Sequence, residues 1–110
     1  MFLGKVVGTL VSTRKEASLD GLKFLVVRRL TVDNEEEKGY VVAADAVGAG
    51  LGEVVMVATG SSARQTRMTD KRPCDAVIMA IVDTWEVSGE EKYRKDENRP
   101  ATSGPESAKD

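Results

Sequence analysis

Residues 48–64 read GAGLGEVVMVATGSSAR: three glycines, an apolar β-branched run, then a fourth glycine beside two serines and an arginine. Glycine clusters serve two different ends. They let backbone N–H groups approach a phosphate at a helix N-terminus, or they let the chain turn tightly between strands. The pattern G-x-G-x-x-G fails here because Glu53 takes the sixth position, and no Gly-Lys-Ser/Thr follows. The context is also wrong for a cradle, since a dinucleotide loop opens a helix whereas these glycines lead into EVVMVAT, a strand-like run. The stretch therefore reads as a packed turn followed by a strand.

Working outward, the apolar inventory is dominated by β-branched residues in short runs bounded by Gly, Asn, Asp or Pro. Strands are expected at Leu3–Thr13, Leu22–Val32, Tyr40–Ala44, Glu53–Thr59 and Ala76–Val87, giving a mainly all-β domain over residues 1–87. RKEASLDG (14–21), with its Asp20-Gly21 turn signal, and the acidic DNEEEKG (33–39) read as solvated loops. Ser61-Ser62 read as the N-cap of one short helix before the fifth strand. From residue 88 the composition changes: 11 of the last 23 residues are charged and Tyr93 is the one large apolar side chain among them. Residues 88–110 are expected to form a polar tail, largely disordered and disordered throughout over 96–110, because burial there cannot offset ordering entropy. Residues 88–95 have the option of lying against a neighbour.

Composition excludes several functions. The chain has 110 residues and 16 cationic against 18 anionic side chains, so no global basic field exists to hold nucleic acid or anionic lipid. There is no histidine, which removes the usual general base and zinc ligand. The single Cys74 forms neither an internal disulfide nor a thiolate cluster and reads as a small apolar residue. No metal or cofactor is expected. Lys5, Thr9, Ser12 and Thr13 interrupt the apolar N-terminus, and no run reaches the roughly 18–20 apolar residues that span a bilayer. The chain reads as soluble and intracellular, with no membrane partner.

The strands carry a second message. In AVIMAIVDTWEV (76–87), Val77, Met79 and Ile81 alternate with Ala76, Ile78, Ala80 and Val82, so both faces are apolar. LKFLVV and EVVMV behave alike. One small closed sheet has a single interior. The outward faces of the fourth and last strands are therefore expected to be covered by copies of the same chain, with Asp83, Arg64 and Arg67 as charges at the seam.

Four segments, LGKVVGTLVST-K at 3–15, DAVGAGLGEVV at 45–55, GSSAR at 60–64 and DAVIMAIVD at 75–83, resemble the pentameric vertex proteins of bacterial microcompartment shells, the carboxysome and ethanolamine-utilisation family. The resemblance implies an OB-like five-stranded β-barrel with one short helix, assembled as a cyclic homopentamer. That pentamer would close the vertices of a polyhedral shell in the bacterial cytoplasm beside hexameric and pseudohexameric shell proteins. It assigns Gly48, Ala49, Gly50 and Gly52 to a close-packed turn near the subunit seam. Gly60, Ser61, Ser62, Ala63 and Arg64 would lie at the interface toward the five-fold axis. Such a protein is structural, not an enzyme.

Two other readings fit the sequence less well. An OB-type module binding single-stranded nucleic acid needs a basic groove and aromatic platforms, whereas Phe2, Phe24, Tyr40, Trp85 and Tyr93 read as packing or tail residues. An enzyme using Asp45, Glu53 and Asp83 as acid and base has no spacing that selects those carboxylates.

Overall fold

The structure, a computed structural model, describes residues 1–95. Its strands are β1 (Phe2–Leu10), β2 (Phe24–Leu30), β3 (Glu36–Asp45), β4 (Val54–Thr59), β5 (Ala76–Ile81), β6 (Thr84–Val87) and β7 (Glu90–Arg94). The first five close into a barrel in the order β1-β2-β3-β5-β4, and β6-β7 form a separate hairpin. All barrel pairs are antiparallel except β3 with β5, which meet in parallel over Ala44↔Val77 and Asp45↔Ile78.

Alternation along the strands fills the interior. Val6, Leu25, Val27, Ala43, Ala49, Val55, Val57, Ala76 and Ile78 form one buried cluster, with Phe2, Val41 and Ile81 packed against it. Gly4 is required in the middle of β1 because the side chain of Val27 occupies the space a Cβ would take. A bulge between Val6 and Gly8 in the β1–β2 ladder turns Val7 outward, where it is exposed.

The outside is covered differently from the sequence expectation. Ala58 and Val77, on the outer face of β4 and β5, are sealed by the chain's own segment 60–75 through Ala63 and Cys74. At the other end Leu30 and Val54 lie under Tyr93, with Leu3, Val82 and Trp85 alongside. The expectation that copies must cover the fourth and last strands is corrected accordingly: two intrachain flaps cover most of that surface.

Four local readings change. The run 76–87 is two strands, because Val82 N–H donates to Val54 O (2.8 Å) and the chain then leaves the barrel to begin β6. The boundary expected at Val87 falls inside a hairpin. Ser88 (φ 53°) and Gly89 (φ 82°) make a two-residue turn of the type that matches strand twist, and Trp85 stacks on Tyr93 with centroids 5.2 Å apart. Residues 96–110 lie outside the described residues. Of DNEEEKG, Glu36–Gly39 belong to β3 and the turn is Thr31–Glu35, where Thr31 Oγ1 accepts from Asp33 N (3.2 Å) and Glu35 N (3.1 Å).

The short helix is a 3₁₀ helix over Gly60–Arg64 whose N-cap is Thr59, without a side-chain cap bond, rather than Ser61 or Ser62. Gly60, at φ 64°, sets the turn and donates its N–H to Asp75 O (2.9 Å). A second 3₁₀ turn, Ala17–Leu19, lies in the β1–β2 connection, capped by Glu16 through Ser18 N–H.

Gly4→Ala would overlap Val27 Cγ1 and bring a carbon within 3.1 Å of Arg28 O. We expect a loss of about 1–3 kcal/mol, read as a lower urea midpoint with the slope unchanged; an unaltered midpoint would show that β1 shifts freely.

Candidate assembly surfaces

The glycine cluster begins where β3 ends. Asp45 is buried, and its Oδ1 accepts the backbone N–H groups of Val47 (3.1 Å), Gly48 (3.1 Å) and Ala49 (3.2 Å). Gly48 supplies the positive φ (78°) that this wrap needs, and Ala49 plugs the barrel core. Gly50 N–H donates to Glu53 Oε1 (2.7 Å). Gly52 (φ 85°) donates to Val6 O (2.8 Å), which returns the chain to the β1–β4 ladder. The N–H groups that would hold a phosphate are therefore occupied by two carboxylates of the chain itself. The loop is a turn, and it presents Val47 and Leu51 to solvent.

Gly60–Arg64 lies at the opposite end of β4. That strand has six residues, so roughly 20 Å separates the two motifs at the usual strand rise of ~3.3 Å per residue. Ala63 is fully buried, Ser61 and Ser62 are exposed, and Arg64 Nη1 donates to Cys74 O (3.4 Å). The flap is held by Thr69, a buried hydroxyl that donates to Ala63 O (2.6 Å) and shares a bond with Thr66 Oγ1 (2.6 Å). Burial raises the Cys74 thiol pKa, the attraction of Arg72 and Arg64 only partly opposing it. Asp83 belongs with the first motif: it is exposed after β5, and its carbonyl accepts Lys95 N–H (2.9 Å). Within one chain, no salt bridge joins Asp83 to Arg64 or Arg67 among the described residues.

Three bonds that tie the hairpin down have no counterpart in the sequence reading. Trp85 Nε1–H donates to Val32 O (2.8 Å), Asn34 Nδ2 donates to Lys92 O (3.1 Å), and Lys95 Nζ reaches Glu53 Oε2 (3.0 Å). Glu53 thus joins the glycine turn to the end of β7. The Gly50 N–H bond first, and then Lys95, hold the Glu53 carboxyl below the usual carboxylate range; the same contact raises Lys95.

Of the apolar surfaces that stay open, two lie against the barrel strands. On the outer face of β1, β2 and β3 stand Val7, Leu10, Tyr40 and Val42, with Arg28 packed 5.0 Å over the Tyr40 ring. Displaced along β1 toward β4, a groove of about 430 Å³ is lined by Met1, Leu3, Val32 and Met56. No group of three or more potential metal-ligating side chains occurs among the described residues, and no helix there is long and apolar enough to cross a membrane.

The sequence model of the family described as "Ethanolamine utilisation protein EutN/carboxysome" matches residues 1–83. The chain is 48% identical over 98 residues to the carboxysome shell vertex protein CcmL of Synechococcus elongatus, covering 89% of this chain and 99% of that protein. Among solved structures, CcmL of Gloeobacter violaceus superposes with a TM-score of 0.84 at 45% identity, covering 87% of this chain and 99% of that one. The pentameric microcompartment shell protein GrpN of Rhodospirillum rubrum gives a TM-score of 0.73 at 50% identity, covering 79% and 99%.

Because the Glu53 pKa is depressed on folding, its stabilisation is complete above the unfolded value, about 4.3, and is lost as pH falls through the lower folded value. Lys95 is raised, so its share is present below its unfolded value of about 10.4 and lost as pH rises through the folded one. Fluorescence of the single Trp85, on the hairpin, should therefore hold a plateau between those limits. In Glu53→Gln the acid limb should flatten; an acid limb identical to the parent's would remove Glu53 as the clamp. Asp45→Ala strands three N–H groups and should cost about 2–4 kcal/mol, read as a lowered denaturation midpoint.

Proposed function

This chain belongs to the ethanolamine-utilisation protein EutN/carboxysome family, and we propose that it is a structural shell protein whose pentamers close the vertices of a polyhedral bacterial microcompartment. The observation that carries this reading is the pair of different apolar surfaces left open on one barrel. A ring with a single repeating contact joins unlike patches head to tail and closes when the rotation closes. Five as the ring number is supported by the pentameric relative GrpN at 50% identity. Flat hexagonal layers close into a polyhedron only with five-fold units, so the role is geometric.

Several finer points belong to the same proposal. The pentamer sits among hexameric and pseudohexameric shell proteins of the same compartment, in the bacterial cytoplasm. Gly60, Ser61, Ser62 and Arg64 face the neighbouring subunit toward the axis, with Ala63 buried beneath them within the chain, and Gly48, Gly50, Gly52 and Asp83 lie near the seam at the other end of β4, where Ala49 points into the barrel instead. The exposed Ser61, Ser62 and Arg64 on a flap anchored by the buried Ala63 suit such a contact. Assembly, not turnover, is the activity: the carboxylates of Asp45 and Glu53 are engaged in holding a turn. The nucleic-acid reading finds no support, since Trp85 and Tyr93 stack on each other and Phe2 lies beneath Arg29 at 4.1 Å, which leaves no row of free aromatic faces.

Light scattering should give a particle of about five times the 11.9 kDa chain. Val42→Asp, placing a charge on the open outer face, should shift it toward monomer while circular dichroism stays unchanged; a parent that remains monomeric at micromolar concentration would overturn the ring. Arg64→Glu should weaken assembly if Arg64 faces the seam, and an unaltered mass removes that assignment. Coexpression with hexameric shell proteins should give closed particles with this chain and open or elongated ones without it.

A further inference from the structure

Charge is divided unevenly over this barrel. The β1–β2 connection (11–23) and the flap (60–75) are joined by Arg72, whose Nη1 donates to Ser18 O (2.9 Å) and Asp20 O (2.7 Å). Besides Arg72 these segments carry Arg14, Lys15, Lys23, Arg64, Arg67 and Lys71, against four carboxylates, Glu16, Asp20, Asp70 and Asp75. Elsewhere among the described residues seven cations face ten anions. The pairing is just as uneven. Arg28, Arg29, Lys92, Arg94 and Lys95 all sit in ion pairs, whereas none of the seven cations of the joined segments forms one among the described residues.

An apolar groove of about 300 Å³ opens within this basic region. Leu10, Leu19, Leu22 and Phe24 line it, and Arg14 and Lys15 lie on its rim. Leu22 and Phe24 also pack against the cluster of Ala63, Cys74 and Val77, so the floor is fixed to the barrel rather than to a loose loop. Apolar area beside unpaired cations has one chemical complement: a surface that is apolar and acidic together.

We propose that this groove docks an acidic, apolar peptide segment of another protein, its large aliphatic side chains on Leu10, Leu19, Leu22 and Phe24 and its carboxylates against Arg14 and Lys15. A polyanion such as nucleic acid does not fit an aliphatic floor whose one aromatic, Phe24, is half-buried. The chain's own residues 96–110 contain no Leu, Ile, Val, Met, Phe, Trp or Tyr with which to fill it. In a second copy, Glu36 and Glu37 of the acidic stretch are already held by Arg28 (3.4 Å) and Arg29 (3.6 Å). Resting on the ring reading, a cyclic assembly sets its grooves at one level around the axis, so a partner with several such segments gains avidity.

The test uses the full-length ring and a fluorescein-labelled synthetic peptide of about 15 residues with leucines at i, i+3, i+4 and i+7 and glutamates between them. Anisotropy should report saturable binding that weakens as salt rises. The double variant Arg14→Glu/Lys15→Glu, at two exposed positions, should weaken it at least tenfold, and Leu19→Ser, on the groove floor away from the open face of β1–β3, should do the same. Light scattering on each variant reads the ring separately, and the ring mass should not change. No binding, equal binding by the double variant, or equal binding of a peptide with lysine for glutamate would each overturn the proposal while leaving the ring reading intact. A fall in ring mass for the double variant would overturn it in favour of the neighbouring copy as occupant.

Discussion

A closed sheet of five short strands hides only the inner face of each strand, and in this chain the outer faces are apolar as well. That mismatch governs the rest of the structure. Apolar surface left in water costs about 25 cal/mol per Å², so each outward Val, Ala or Met needs a cover. The chain provides two. The flap 60–75 lays Ala63 and Cys74 over Ala58 and Val77, and the β6–β7 hairpin lays Tyr93 over Leu30 and Val54. What neither reaches is the outer face of β1–β3 and the groove beside Met1 and Met56. Those open surfaces are where copies can meet, while the shell-vertex role itself rests on the likeness to shell vertex proteins.

The glycine-rich turn obeys the same accounting for polar groups. A buried N–H without a partner is expensive, and the sharp reversal after β3 frees several at once. Asp45 gathers three N–H groups, the Ala49 one buried and the other two partly so, and Glu53 takes the exposed N–H of Gly50, so the loop's donors are met within the chain. The Glu53 carboxylate has a second oxygen, and Lys95 uses it. One side chain therefore couples the turn that closes the barrel to the end of the hairpin that covers it.

Much of the barrel was legible because its signal is local. The β-branched runs give β1 to β4 within about four residues and the start of β5 at Ala76, and the strand context of the glycines by itself argues against a phosphate loop. The misreadings arose where a distant partner decides. Nothing in EEKYRKD announces a strand; β7 exists because Tyr93 meets Trp85 and because Ser88-Gly89 supply a matching turn. Nothing in AVIMAIV says which face the flap will cover, since Ala63 and Cys74 come from a segment rich in polar residues. The Asp45 cap had a signal, an Asp at a strand end followed by glycine, but its role in the turn emerges only when three N–H groups converge on one oxygen. Seam assignments such as Ser61, Arg64 and Asp83 depend on a second chain, and a single sequence holds no pattern that orients one.

Because both flaps are intrachain, the barrel core and most of its outer surface are complete before any copy arrives. The residues that pack the barrel and those left open for neighbours are thus largely different ones. The interior cluster and the Asp45 turn set the stability of the barrel, while the open surfaces on β1–β3 and beside Met1 set how strongly rings form. For a vertex this division is useful, because association through the open surfaces then adds stability by mass action without rearranging the core. A charge placed on that surface lowers ring stability without reaching the core, since Val7 and Val42 point away from Val6, Val27 and Ala43. A chain that left all its outward aliphatics for neighbours would instead tie its folding to its concentration.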